Sequence, residues 1–240
     1  SSGKDEDAKA LLAELRGLAE STPSEPGLWH EYGTALYNKI LALLRKDSVT
    51  DALPVLDELR ALPPQPPDVA AQRLLGDTLR MSITMGAPIP AAADTVDTWL
   101  AELEKLTAVY WQDGYHLKNL AVSLRAIGVE AYDRQDPDRV ARSLGRLKEL
   151  AGEKPPEVVA EELVNLEVHV MRTKPPENAL GPFRAVMEEI QKLARAFPGN
   201  PRLNYQVATV HELMRRRIQA PLFVALDRGT ALADLATLAP

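Results

Sequence analysis

The 240-residue chain is 45% hydrophobic, enough to bury a sizeable core, and its net charge of −6 lacks the cationic surface with which a general nucleic-acid binder neutralises phosphates. With no cysteine, it can form neither disulfides nor thiolate metal sites and carries no cysteine nucleophile. No apolar run approaches the roughly 18 residues that span a bilayer, and Ser1-Ser2-Gly3-Lys4 lacks the apolar centre of a signal peptide.

Residues 1–4 read as a disordered tail or tag remnant, and the missing initiator methionine as trimming or processing. A soluble, cytoplasmic chain is the default expectation, with the compartment itself unassigned. From there, apolar residues at three- and four-residue steps predict helices over 5–21, 26–46, 50–62, 67–86, 91–110, 114–134, 138–151, 156–173, 178–197, 201–218 and 222–238, and no strand. Leu11, Leu12, Leu15 and Leu18 mark the buried face of the first helix; Val186, Ile190, Leu193 and Phe197 mark that of the ninth. The breaks are mostly prolines, whose fixed φ and missing N–H end one helix or open the next: Pro23 and Pro26, Pro63 to Pro67, Pro88-Ile89-Pro90, Gln135-Asp136-Pro137, Pro155 and Pro156, Lys174-Pro175-Pro176, Pro198 and Pro201, Ala220-Pro221; Lys46-Asp47-Ser48 is a further break. Trp111-Gln112-Asp113-Gly114 turns through Asp-Gly instead.

One short phrase returns along this series: ELRGL from Glu14, ELRAL from Glu58, ELEKL from Glu102, RLKEL from Arg146 and EIQKL from Glu189, at intervals of 44, 44, 44 and 43 residues. Two helices fill each interval, and links of about three to five residues force consecutive helices to lie antiparallel and adjacent. A hairpin of helices cannot cover both of its faces, so each must offer its neighbour a similar apolar ridge. The repeated leucines are therefore expected to be packing surface, each contributing roughly 1.5–3 kcal/mol on burial. The organisation expected is a single helical-repeat domain over 5–240, with a leading helix at 5–21 and helix pairs starting near 26, 67, 114, 156 and 201. Leu235 and Leu238 would leave an apolar ridge on the last helix, an expectation of further repeats or domains in a larger parent chain.

The first helix of the first pair reads Leu28-Trp29-His30-Glu31-Tyr32-Gly33-Thr34-Ala35-Leu36-Tyr37. Trp29, Tyr32, Gly33 and Leu36, followed by Ala52, Leu56, Leu59 and Pro64, resemble the tetratricopeptide repeat (TPR) family. The small position returns as Gly76, Ala121, Val164 and Ala208, preceded by Leu75, Leu120, Leu163 and Val207. Only the first copy carries the tryptophan, and the period of about 44 residues exceeds the family's 34, so the helices must be longer or their register altered. The resemblance implies an all-α, right-handed α-α superhelix of about eleven antiparallel helices, a TPR-like solenoid. It also implies a scaffold that binds a protein or peptide along a concave face, with no catalysis, cofactor or metal.

Carried over position by position, the concave face comprises His30, Thr34, Tyr37 and Asn38; Arg73, Asp77 and Arg80; Lys118 and Arg125; Glu161, Asn165 and His169; and Tyr205, Thr209 and Glu212. Arg73, Arg80, Lys118 and Arg125 make its middle basic, which suits an acidic segment because arginine pairs carboxylates in bidentate geometry. A solvated, mixed-charge helix face is the plainer alternative. His30 and Thr34 stand where family members that clamp a terminal carboxylate carry lysine and asparagine, so that clamp is not expected.

The four histidines, His30, His116, His169 and His211, lack metal-ligand spacing: Thr34 and Arg215 stand where a zincin helix would need its second histidine. They read as solvated or hydrogen-bonded structural residues. Asp94 and Asp97, like Glu188 and Glu189, read as exposed helix charge. Arg215-Arg216-Arg217 sits near a helix C-terminus, where positive charge complements the macrodipole. Tyr110, Trp111 and Tyr115 either pack the irregular third link or form a recognition patch. A rival from another class is the regulatory or sensor region of a larger enzyme, such as a signalling or defence effector. An all-α enzyme in its own right would need a deep pocket with converging polar groups.

Overall fold

The computed structural model describes residues 2–63, 69–173 and 180–219. These residues form ten α-helices: α1 (Ser2–Ser21), α2 (Pro26–Leu44), α3 (Val49–Arg60), α4 (Val69–Gly86), α5 (Ala93–Val109), α6 (Tyr115–Asp133), α7 (Pro137–Ala151), α8 (Glu157–Thr173), α9 (Leu180–Ala196) and α10 (Pro201–Gln219). Single 3-10 turns at Pro90–Ala92 and Trp111–Asp113 interrupt two of the links, and no strand occurs among the described residues. No helix among them is long and apolar enough to cross a membrane. The expected helix over 222–238, with Leu235 and Leu238, lies outside the described residues, as does Pro64.

The helices start where the local chemistry requires. Pro26 and Pro137 occupy the first turns of α2 and α7, where a missing N–H costs nothing. The Asp136 carboxylate caps α7 by accepting from Arg139 N at 3.0 Å. Asn200 Oδ1 caps α10 by accepting from Arg202 N at 2.9 Å and Leu203 N at 3.0 Å. At the N-terminus the helix is already formed at Ser2 rather than at Asp5, so α1 reaches into the segment expected as a tail.

The chain divides into two compact units between Glu130 and Ala131, within α6. In the first, α2 packs against α1, α3 and α4, and α4 against α5. Its core is built from Tyr32, Leu36, Ile40, Leu44, Leu56, Leu79, Ile83, Trp99, Leu103 and Leu124, all buried. Two side-chain ties run along the helices that carry the repeated phrase. Arg16 on α1 donates to Glu58 on α3 at 3.2 Å, and Arg60 on α3 donates through Nε to Glu102 on α5 at 2.9 Å. The arginine of one copy thus holds the glutamate that opens the next.

In the second unit α8 packs against α7, α9 and α10, and α9 against α10, around Leu147, Val159, Leu163, Leu166, Met187, Ile190, Leu203, Val210 and Met214. The same tie recurs with lysine: Lys148 Nζ lies 2.8 Å from Glu189. Glu189 therefore does more than decorate a solvated face.

The first apolar residue of the phrase follows the expectation in four copies and departs from it in one, while the second is half-buried at Leu62, Leu106 and Leu150 and buried at Leu193. Leu59, Leu103, Leu147 and Ile190 are buried. In the first copy Leu15 is half-buried while Leu18 is 49% exposed, and Leu11, two turns before Leu18, is 65% exposed. The packing-surface expectation fails there because α1 packs mainly on α2, while Arg16 reaches Glu58 of α3 through its long side chain.

Candidate functional site

The positions expected on the concave face lie, in the first unit, on α2, α4 and α6. His30 and Asn38 are exposed, and Thr34 and Tyr37 half-buried, on α2. On α4 and α6 the side chains are drawn together. Asp77 accepts from the Tyr115 hydroxyl and, at 3.1 Å, from Asn119 Nδ2. The Arg80 Nε is 4.0 Å from the same carboxylate, and the Arg73 guanidinium sits 5.0 Å above the Tyr115 ring. Burial, together with the hydrogen bond to Asp77, pushes the Tyr115 hydroxyl up to about 12, so it remains a donor at neutral pH. Lys118 is exposed and Arg125 half-buried.

This closeness depends on Gly76. A Cβ there would stand 2.5 Å from His116 Nδ1 and 2.8 Å from its Cε1, so the missing side chain is what lets the buried His116 ring and its helix approach α4. Gly33 plays the matching part between α2 and α4, where a Cβ would meet Leu74 Cδ2 at 2.7 Å and Leu62 Cδ1 at 3.1 Å. Ala121 and Val164 are buried as well, whereas Ala208 is exposed: the small position is not an approach site in that copy.

In the second unit the positions on α8 and α10 are bonded across one repeat. Glu161 accepts from Asn200 Nδ2 and, at 3.2 Å, from Arg202, and Asn165 accepts from Gln206 Nε2 at 2.8 Å. His169 Nε2 is 3.3 Å from Asp133. Tyr205 is 69% exposed, and Thr209 donates to the Tyr205 carbonyl within its own helix. Hydrogen bonds from Arg215 and Arg216 hold the Glu212 carboxyl down at about 2. Those two arginines thus serve an ion pair as well as the helix end; the Arg217 side chain lies outside the described residues.

Asp77 is the residue whose neighbours sequence reasoning passed over. Tyr115 and Asn119, four apart on one helix face, were the available signal. Of the aromatic group at the third link, Tyr110 and Tyr115 pack on His116, with ring centroids 5.4 Å and 5.9 Å away, while Trp111 is 68% exposed and Val109 70%. The remaining histidines take separate places: His30 is exposed, and His211 lies 3.4 Å from Gln191 Nε2. Among the described residues no three histidine, aspartate or glutamate side chains are grouped to hold a metal ion. Chemically, the α4–α6 surface offers hydrogen-bond donors and planar cations, its Asp77 carboxylate accepts from Tyr115 and Asn119, and the indole of Trp111 is exposed in the link before α6.

Compared with protein-family models, curated proteins and solved structures, the chain has no match.

Proposed function

We propose that the chain is a non-catalytic scaffold of TPR-like helix pairs, wound as a right-handed solenoid, that binds a protein or peptide along its first helices. The observation that carries this is that expected concave-face positions are held by side chains of the next first helix: Asp77 by Asn119 in the first unit, and Asn165 by Gln206 in the second. Such ties keep the first helices side by side and hold their outward side chains in fixed register, which lowers the ordering cost of binding.

Of the expected concave-face positions on α4 and α6, Arg73, Arg80, Lys118 and Arg125 are basic and Asp77 alone is acidic, which favours an acidic segment; Glu130 and Asp133 lie further along α6. Exposed Trp111 adds an apolar anchor of the type that dominates binding energy. The test is selection of a random peptide display library against the natural chain, followed by rebinding to an Arg73→Glu, Arg80→Glu, Arg125→Glu variant. Acidic sequences that lose at least about 10-fold in affinity on the variant are expected, a difference of about 1.4 kcal/mol. Selected peptides with no acidic bias, or equal binding to both proteins, would remove the proposal.

The regulatory-region alternative draws support from one feature, the exposed Leu11 and Leu18 on the same face of α1, which suit a further packed segment.

A further inference from the structure

A cavity of about 670 Å³ lies in the second unit, where the turn from α6 to α7 faces α8. Its size falls in the range of small-ligand sites. The turn forming one wall is held rigidly: Gln135 N donates to the Tyr132 carbonyl at 2.9 Å and Asp136 N to the Ala131 carbonyl at 2.8 Å. Gln135 takes a left-handed φ of 61°, and Asp136 then caps α7. Val140, Ala141 and Leu144 of α7, with Pro137, form the apolar floor, and Val170 of α8 the opposite wall. His169, the neighbour of Val170, braces the two walls: its Nε2 is 3.3 Å from Asp133 and its ring stands edge-on to Tyr132 at 5.6 Å.

The charged side chains lining this cavity are Asp133 and Asp136; no lysine or arginine lines it. Gln135 adds a carbonyl acceptor and Tyr132 a ring face. A protonated amine would find the half-exposed Asp133 carboxylate and that of Asp136 beside apolar side chains, and an aromatic ring suited to a cation. Its hydrocarbon body would cover Val140, Leu144 and Val170. The two carboxylates would repel an anion. From this geometry we infer that the cavity is a binding site for an aliphatic primary ammonium group, carried either by a small amine or by a lysine side chain.

The test titrates the natural chain with hexylammonium chloride, hexanoate and hexanol, reading the methyl NMR signals of Val140, Leu144 and Val170. Saturable shifts with hexylammonium, none with hexanoate and weaker ones with hexanol are the expected result. Asp133→Asn should weaken hexylammonium at least about 5-fold, roughly 1 kcal/mol in affinity. Ala141→Trp, at an exposed position, should block the cavity without altering its charge, and circular dichroism confirms that each variant is folded. Nα-acetyl-lysine methylamide distinguishes the sources: binding equal to hexylammonium assigns a lysine side chain, weaker binding a free amine. No saturable shift, equal responses to hexanol and hexylammonium, or unchanged binding in either folded variant overturns the inference.

Discussion

Arg60 on α3 spans two copies of the repeated phrase: its Nη1 donates to Asp57 on its own helix at 2.6 Å while its Nε donates to Glu102 on α5 at 2.9 Å. Its side chain is 29% exposed, and that of Glu102 26%, so the pair is only partly screened by water. A double-mutant cycle with Arg60→Ala and Glu102→Ala, read by urea unfolding, should give a coupling of about 0.5–1 kcal/mol that shrinks as salt is added. A coupling near zero would reduce these ties to surface decoration.

Gly76 and Gly145 form a matched pair of helix glycines with opposite expected effects. An alanine methyl at Gly76 collides with the His116 ring at 2.5 Å, whereas nothing lies within 4 Å of the corresponding point at Gly145. Gly76→Ala should therefore cost about 1–3 kcal/mol through overpacking. Gly145→Ala should stabilise by about 0.5–1 kcal/mol, because it restricts the unfolded chain without strain in the helix. Thermal melts of the two variants compare them directly, and equal effects would contradict the close approach of α6 to α4.

Glu167 supplies a pH signature. Its carboxyl is buried and lies 3.0 Å from Lys148 Nζ, which also holds Glu189. Burial, helped by the negative charge of Glu189, pushes the Glu167 carboxyl up to about 7 from its ordinary 4.5. Since the folded-state value is the higher one, the contribution of this group to stability is complete below about 4.5 and is lost as pH rises through about 7. Glu167→Gln should remove that decline, so the Tm difference between variant and natural chain should grow in the variant's favour across this window. A constant difference would contradict the upward shift.

Asp136 tests the turn beneath the cavity. Removing its carboxylate in Asp136→Ala leaves Arg139 N without the acceptor it has at 3.0 Å. A loss of about 0.5–2 kcal/mol is expected by chemical denaturation, whereas Asp138→Ala, on the same first turn, should cost less.

The repeat, the helix pairs and most of the core were legible because packing periodicity is written in single residue types: Leu59, Leu103, Leu147 and Ile190 hold one buried position in successive copies. Gly33 and Gly76 were legible for the same reason, since only a missing side chain permits the approach. Exposed Leu18 and Ala208 show the limit, because burial depends on whether a neighbour covers the position, which the residue itself does not encode. Candidate-site residues could be placed on helix faces, but their pairings could not. Whether the Asp77 carboxylate is open to a ligand or already accepts from Tyr115 and Asn119 depends on side chains 38 and 42 residues away. The cavity beside α7 was hidden more deeply, for Gln135 and Asp136 read only as a break between helices.

The location of bound peptide tests the scaffold proposal most directly. Amide NMR shifts of the natural chain, titrated with an acidic peptide taken from the display selection, should be largest at His30, Thr34, Arg73, Arg80, Lys118 and Trp111, along α2, α4 and the start of α6. Shifts gathered instead around Glu58 and Glu102, on the helices that carry the repeated phrase, would contradict it.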